Sequence, residues 1–224
     1  MENNMPSKNT IKYIGLDFVG SLFDRVFDNI IWQKKFPLYY SKKNLISIKE
    51  SESFIFSEFY RAKFIEIISK EKWNDIDYWF ERFNLVEYRD DLVKELKEHS
   101  FLFLNVREVL KKLKQKGYKL ILITTFHTKI LEIKLDSQDL RIFFDKIYSP
   151  SFFNLKKKSI LLYKNILNDL HIKPEELAYI GTNFEEDYKI PKAIGINAYY
   201  LTKDEEKKYS KHFISDLKEF EEKI

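Results

Sequence analysis

The apolar positions of this chain fall into two regimes. Over Ile11–Leu16, Leu120–Thr124 and Leu177–Ile180 they are nearly consecutive, the pattern of strands buried on both faces of a parallel sheet. Between residues 25 and 99 they instead recur at helical spacing, first at Phe56, Tyr60, Phe64, Ile67 and Ile68, then at Ile76, Trp79, Phe80 and Phe83, as amphipathic helices require. Pro37 and the polar run Ser41–Ser53 predict an exposed connection.

From Phe101 onward helices and strands alternate. Asn105 predicts the cap of a helix carrying Val106, Val109, Leu110 and Leu113, and Gly117 its end. A weaker strand is expected over Lys146–Ser149, and a helix opened by Ser159 carries Ile160, Tyr163, Ile166, Leu167 and Leu170. Asn197–Leu201 predicts a last clear strand, and the charged tail a short strand and a surface helix. This order predicts an α/β fold, a doubly wound parallel sheet with helices on both faces and a helical insertion after the first strand. The boundaries read as 1–24 and 100–224 for the α/β core and 25–99 for the insertion.

Composition narrows the class. The 224 residues carry a net charge of +4 with Lys and Arg interspersed among the acids, which is no nucleic-acid footprint. Cysteine is absent, which removes disulfides and thiolate metal sites. Neither a signal peptide nor a membrane-spanning run is legible, so the expectation is a cytoplasmic protein with a small-molecule substrate and no nucleic-acid or membrane partner.

The candidate chemistry lies where apolar runs stop. Asp17 ends the first run and is followed by Gly20 and Ser21; a carboxylate there can attack an electrophile and form an ester or acyl phosphate. Thr124 and Thr125 end the second run, and Gly181, Thr182 and Asn183 the third, with Asp187 six residues after the glycine. A parallel sheet gathers these ends at one edge. Two carboxylates there repel, and a lysine of the run Lys156–Lys158 or a magnesium ion would offset that repulsion. The histidines at 99, 127, 171 and 212 show no metal-ligand spacing and read as surface or packing residues.

These ordered motifs resemble the haloacid dehalogenase superfamily of hydrolases, with the insertion in the place of that family's cap domain. The resemblance implies Asp17 as nucleophile, Ser21 as the small hydroxyl residue of the first motif, Thr124 as that of the second, and Lys157 as the motif lysine, with Lys156 and Lys158 one residue away on either side. The stretch Ile180–Asp187 is similar to the fourth, acidic motif. Two positions depart from the phosphatase pattern: Val19 stands where those enzymes carry their general acid, and Thr182 where they carry a magnesium-binding acid.

In both respects the chain resembles the 2-haloacid dehalogenases, which also carry a tyrosine six residues after the lysine, as Tyr163 follows Lys157. On that reading no cofactor is needed. Asp17 attacks the carbon bearing the halide, Arg61 receives the halide, and Lys157, Asp187 and Asn183 position the hydrolytic water. Val19, Thr125, Tyr163 and Thr182 would line the substrate site. The alternatives are a magnesium-dependent phosphatase, its metal held by Asp17 and Asp187, and a catalytically impaired member that binds a ligand.

Overall fold

The computed structural model describes residues 10–24, 26–69, 72–73, 75–126, 128–203 and 210–224. They divide into two compact units, one of residues up to 24, 102–125 and 139–224, the other of residues 25–101 and 126–138.

The first unit is built on a six-stranded parallel sheet of β1 (Tyr13–Leu16), β2 (Lys119–Ile123), β3 (Lys146–Tyr148), β4 (Leu177–Gly181), β5 (Asn197–Leu201) and β6 (Phe213–Ile214). Their spatial order is β3-β2-β1-β4-β5-β6. β1 lies between β2 and β4, with Leu16 opposite Leu122 and Ile180. The three consecutive apolar runs thus form the centre of the sheet. Every residue of β4 is buried, as are the last three of β1 and the last four of β2. Parallel strands covered by helices on both faces select such runs, because neither face meets water.

Helices close the connections with local signals. Ser159 caps Ile160–Leu170, its side chain accepting from the Leu162 amide. Gly117, at φ +88°, follows Val106–Gln115, a conformation glycine adopts without a Cβ clash. Asn105 stands at the head of that helix but in the left-handed region, at φ 66°, with no side-chain cap bond. Pro191 fits because the chain runs as a π-helix over Phe184–Lys189 and restarts as an α-helix at Ile190–Ala193; proline is tolerated in a first turn, where its missing N–H has no partner to lose.

The second unit is helical, with Phe36, Trp79, Phe80, Phe83, Leu92 and Leu96 in its core. The connection expected over Ser41–Ser53 is shorter than its polarity suggests. Phe36–Asn44 and Ile48–Phe64 are both helical, and Ser47 and Glu50 form a reciprocal capping box between them. Such a box satisfies amides that would otherwise need water, which lets a polar stretch start a helix. The helix Thr128–Ser137 also belongs to this unit, where Ile130 and Ile133 pack into its core, whereas sequence order assigns 126–138 to the α/β core. No helix among the described residues is long and apolar enough to cross a membrane.

Candidate active site

Asp17 follows the last residue of β1, and its backbone N–H still donates to Ile180 of β4 at 2.9 Å. The sheet therefore fixes its position before any side chain does. Its carboxylate is almost buried and accepts from Lys158 Nζ at 2.7 Å on Oδ1. The same ammonium donates to Asp187 Oδ1 at 2.7 Å and to the Tyr179 hydroxyl at 2.9 Å. Tyr179 donates in turn to Asp187 Oδ1 at 2.9 Å, and the Asn183 amide to Asp187 Oδ2 at 2.9 Å. One buried cation thus joins two buried carboxylates, and each group is hydrogen-bonded as burial demands.

Two glycines make room for this cluster. A Cβ on Gly181 would lie 2.5 Å from Asp187 Cγ, and one on Gly15 would lie 2.8 Å from the Tyr179 ring. Neither approach is open to a residue with a side chain unless the neighbour shifts. The electrostatics follow from burial and these contacts. Burial pushes the Asp17 carboxyl above the usual carboxylate range; Lys158 opposes that shift and Asp187 adds to it. Burial alone would lower Lys158, but the charges of Asp17 and Asp187 outweigh it and hold the ammonium above the ordinary lysine range. Burial and the Asp187 charge raise Tyr179 and Tyr163 far enough that both stay neutral phenols.

The lysine at this centre is Lys158, not Lys157. Lys157 is exposed, whereas Lys158 stands immediately before the helix cap Ser159, where the chain turns inward. The correction alters the dehalogenase comparison, since Tyr163 is then five residues after the lysine. Tyr163 donates to the Glu186 carbonyl at 2.8 Å, which ties its hydroxyl to the π-helix. Asn183 is likewise committed: its Oδ1 accepts from the Glu185 and Glu186 amides at 3.1 and 2.9 Å, so it caps the π-helix.

Thr124 is buried at the end of β2, its amide donating to Tyr148 at 3.0 Å, with Thr125 half-buried beyond it. Val19 is half-buried in the turn after Asp17, and Thr182 follows β4. Ser21 is buried, and its Oγ has no hydrogen-bond partner. Gly20, Ser21 and Thr182 are among the residues lining a cavity of about 370 Å³. Arg61 belongs to the second unit, exposed and paired there with Glu66 at 3.2 Å and Glu58 at 3.7 Å. His127 lies outside the described residues. Tyr179 is the site residue that sequence reasoning misses. Its signal is a phenol inside a run buried on both faces, where a hydroxyl must find a partner.

A model of the haloacid dehalogenase-like hydrolase family matches residues 22–200. The chain belongs to that family of hydrolases. It is 27% identical over 165 residues to a GMP/IMP nucleotidase of Escherichia coli (strain K12), covering 74% of this chain and 71% of that protein. It is 29% identical over 154 residues to a glyceraldehyde 3-phosphate phosphatase of Pyrococcus furiosus, covering 63% and 59%. Among solved structures, a HAD phosphatase from Thermococcus onnurineus shares the fold with a TM-score of 0.75 at 20% identity, over 95% of this chain and 97% of that one.

The phosphatase pattern of the haloacid dehalogenase-like hydrolases includes magnesium, and the donor set here does not fit it. Both Asp187 oxygens are engaged, Asp17 Oδ1 is held by an ammonium, and Thr182 is neutral. Magnesium takes hard, charged oxygen ligands, and Lys158 already occupies the place between the two acids.

Proposed function

We propose that this hydrolase is a phosphatase acting on small phosphorylated substrates through an aspartyl-phosphate intermediate. The observation that carries the reading is Asp17 held at 2.7 Å by a buried Lys158, itself braced by Asp187 and Tyr179. The relatives named above, a nucleotidase and a phosphatase, favour phosphorus over a halogenated carbon as the electrophile.

Asp17 Oδ2, the oxygen that Lys158 does not hold, attacks phosphorus, and the bond from phosphorus to the leaving oxygen breaks with its electron pair. Lys158 keeps the nucleophile ionised and offsets the repulsion between it and the negatively charged phosphoryl oxygens. Water then attacks phosphorus, the bond from phosphorus to Asp17 Oδ2 breaks and returns the carboxylate, and the proton that the water loses passes through solvent, from which the departed oxygen takes one. Asp187 is a positioning residue in this scheme, because its oxygens are spent on Lys158, Tyr179 and the Asn183 amide.

The dehalogenase reading draws support from Val19 and Thr182 but loses its tyrosine spacing, and its halide-binding Arg61 is paired with two glutamates. One experiment separates the readings. The protein is incubated with 4-nitrophenyl phosphate and, in parallel, with 2-chloropropionate. The expected outcome is phosphate release that falls by about a thousandfold or more in Asp17→Asn, as loss of a nucleophile does, with no chloride released. Chloride release that depends on Asp17 would overturn the phosphatase reading, and no turnover of either compound would leave the chain a binding protein.

A further inference from the structure

All three tryptophans of the chain converge on one place. Trp32, Trp73 and Trp79, with Phe59, line a cavity of about 150 Å³ in the helical unit. Trp79 is buried, and the other three rings are half-buried. The walls meet edge to face: Trp73 stands at 89° to Trp79 with centroids 5.4 Å apart, and Phe59 at 83° to Trp79 at 4.6 Å. Trp32 meets both at 6.0 and 6.3 Å in the same manner. Trp79 Nε1 donates to the Trp73 carbonyl at 2.9 Å, which fixes the corner between them. Trp32 sits within a single turn of π-helix, Ile31–Lys35, a local widening that recurs at functional sites.

The cavity is partly open to solvent. A space of this size bounded by four aromatic rings offers water almost nothing to bond to, since an ordered water needs two to four polar partners. It does suit a ring, because edge-to-face walls present both faces and edges to an inserted π-system. Aromatic cages also bind quaternary ammonium groups, but the charges argue against that here. None of the described lining residues is acidic. Lys63 Nζ already lies 6.0 Å from the Trp73 ring centroid, and the Arg82 guanidinium 5.9 Å from that of Trp79. Arg82 is itself bound to Glu58 and Glu66, so those carboxylates are committed to an existing cation.

We propose that this cavity is a binding site for the aromatic ring of a small uncharged or anionic ligand. The inference rests on the helical unit alone and is independent of the phosphatase reading. Because the cavity is lined by every tryptophan in the chain, intrinsic tryptophan emission reads it directly. The full-length protein is titrated with benzyl alcohol, with cyclohexylmethanol as the saturated ring of similar size, and with tetramethylammonium.

The expected result is a saturable emission change with benzyl alcohol at concentrations at least tenfold below those needed for the other two. Trp73→Ala and Trp32→Leu should each weaken binding tenfold or more while circular dichroism shows the helices intact; saturation-transfer NMR of the benzyl protons supplies a readout for these variants that does not need the lost indole. Preference for tetramethylammonium would overturn the ligand class. Absence of saturable binding by either readout in the folded wild-type protein would overturn the site itself.

Discussion

At the scale of single residues, the site turns on how many charges share one buried place. Lys158 is 3% exposed and Asp187 1%, so removing the ammonium leaves two buried carboxylates without the cation they share. Lys158→Met should therefore cost about 3–5 kcal/mol of stability at neutral pH, the range for breaking a buried ion pair, read by urea unfolding. Lys157→Met, one residue away and exposed, should leave both stability and turnover unchanged.

Val19 sets the chemistry of the leaving group. With no acid at that position the departing oxygen leaves unprotonated, so turnover should climb steeply as the leaving group becomes more acidic across a series of aryl and alkyl phosphates. Val19→Asp should flatten that dependence by raising alkyl phosphate turnover, by up to about 10²–10⁴-fold if the carboxyl acts as a full general acid. Thr182 carries the metal counterpart. Wild-type turnover should persist in excess chelator, and Thr182→Asp should gain saturable magnesium binding by calorimetry; saturable binding to the wild type that is lost in Asp17→Asn would contradict this account.

At the scale of elements, strand ends were legible and side-chain direction was not. The apolar runs stop at Asp17, Thr124 and Gly181, and parallel pairing brings those stops to one edge. The lysine is different. Three consecutive lysines give no periodicity, and the one that turns inward is fixed by where the helix starts, at Ser159, and by what lies behind it. Tyr179 was hidden for the opposite reason, since an aromatic residue inside an apolar run reads as packing.

Gly181 joins both levels, because its missing side chain is what lets Asp187 fold back against the strand end. Gly181→Ala places a methyl group 2.5 Å from Asp187 Cγ and should cost about 1–3 kcal/mol, as overpacking does. Turnover should fall with it as Asp187 and Lys158 are displaced. Equal stability and activity in that variant would mean that Asp187 can move without consequence.

For the whole molecule, the parallel sheet and the helical insertion follow from the alternation of patterns. The membership of residues 126–138 does not, because a helix records which face is apolar but not which unit it will cover. Solvent coupling also acts at this scale. His212 has its pKa lowered from 6.5 by burial, with Lys192, Lys211 and Lys223 adding to the effect. The folded state then binds this proton less readily than the unfolded chain. Its contribution to stability is present above pH 6.5 and is lost as pH falls below that value. Urea midpoints measured at pH 7.5 and 5.5 should fall less in His212→Gln than in the wild type.

The central place of β1 has a consequence for the order in which the protein can assemble. The strand synthesised first needs β2, more than a hundred residues later, on one side and β4, more than a hundred and sixty residues later, on the other. Contacts this remote delay folding, since long loops must close before any of them forms. During translation residues 25–99 of the helical unit are made while β1 still lacks both neighbours, so β1 has exposed edges in the nascent chain until the ribosome has passed Gly181.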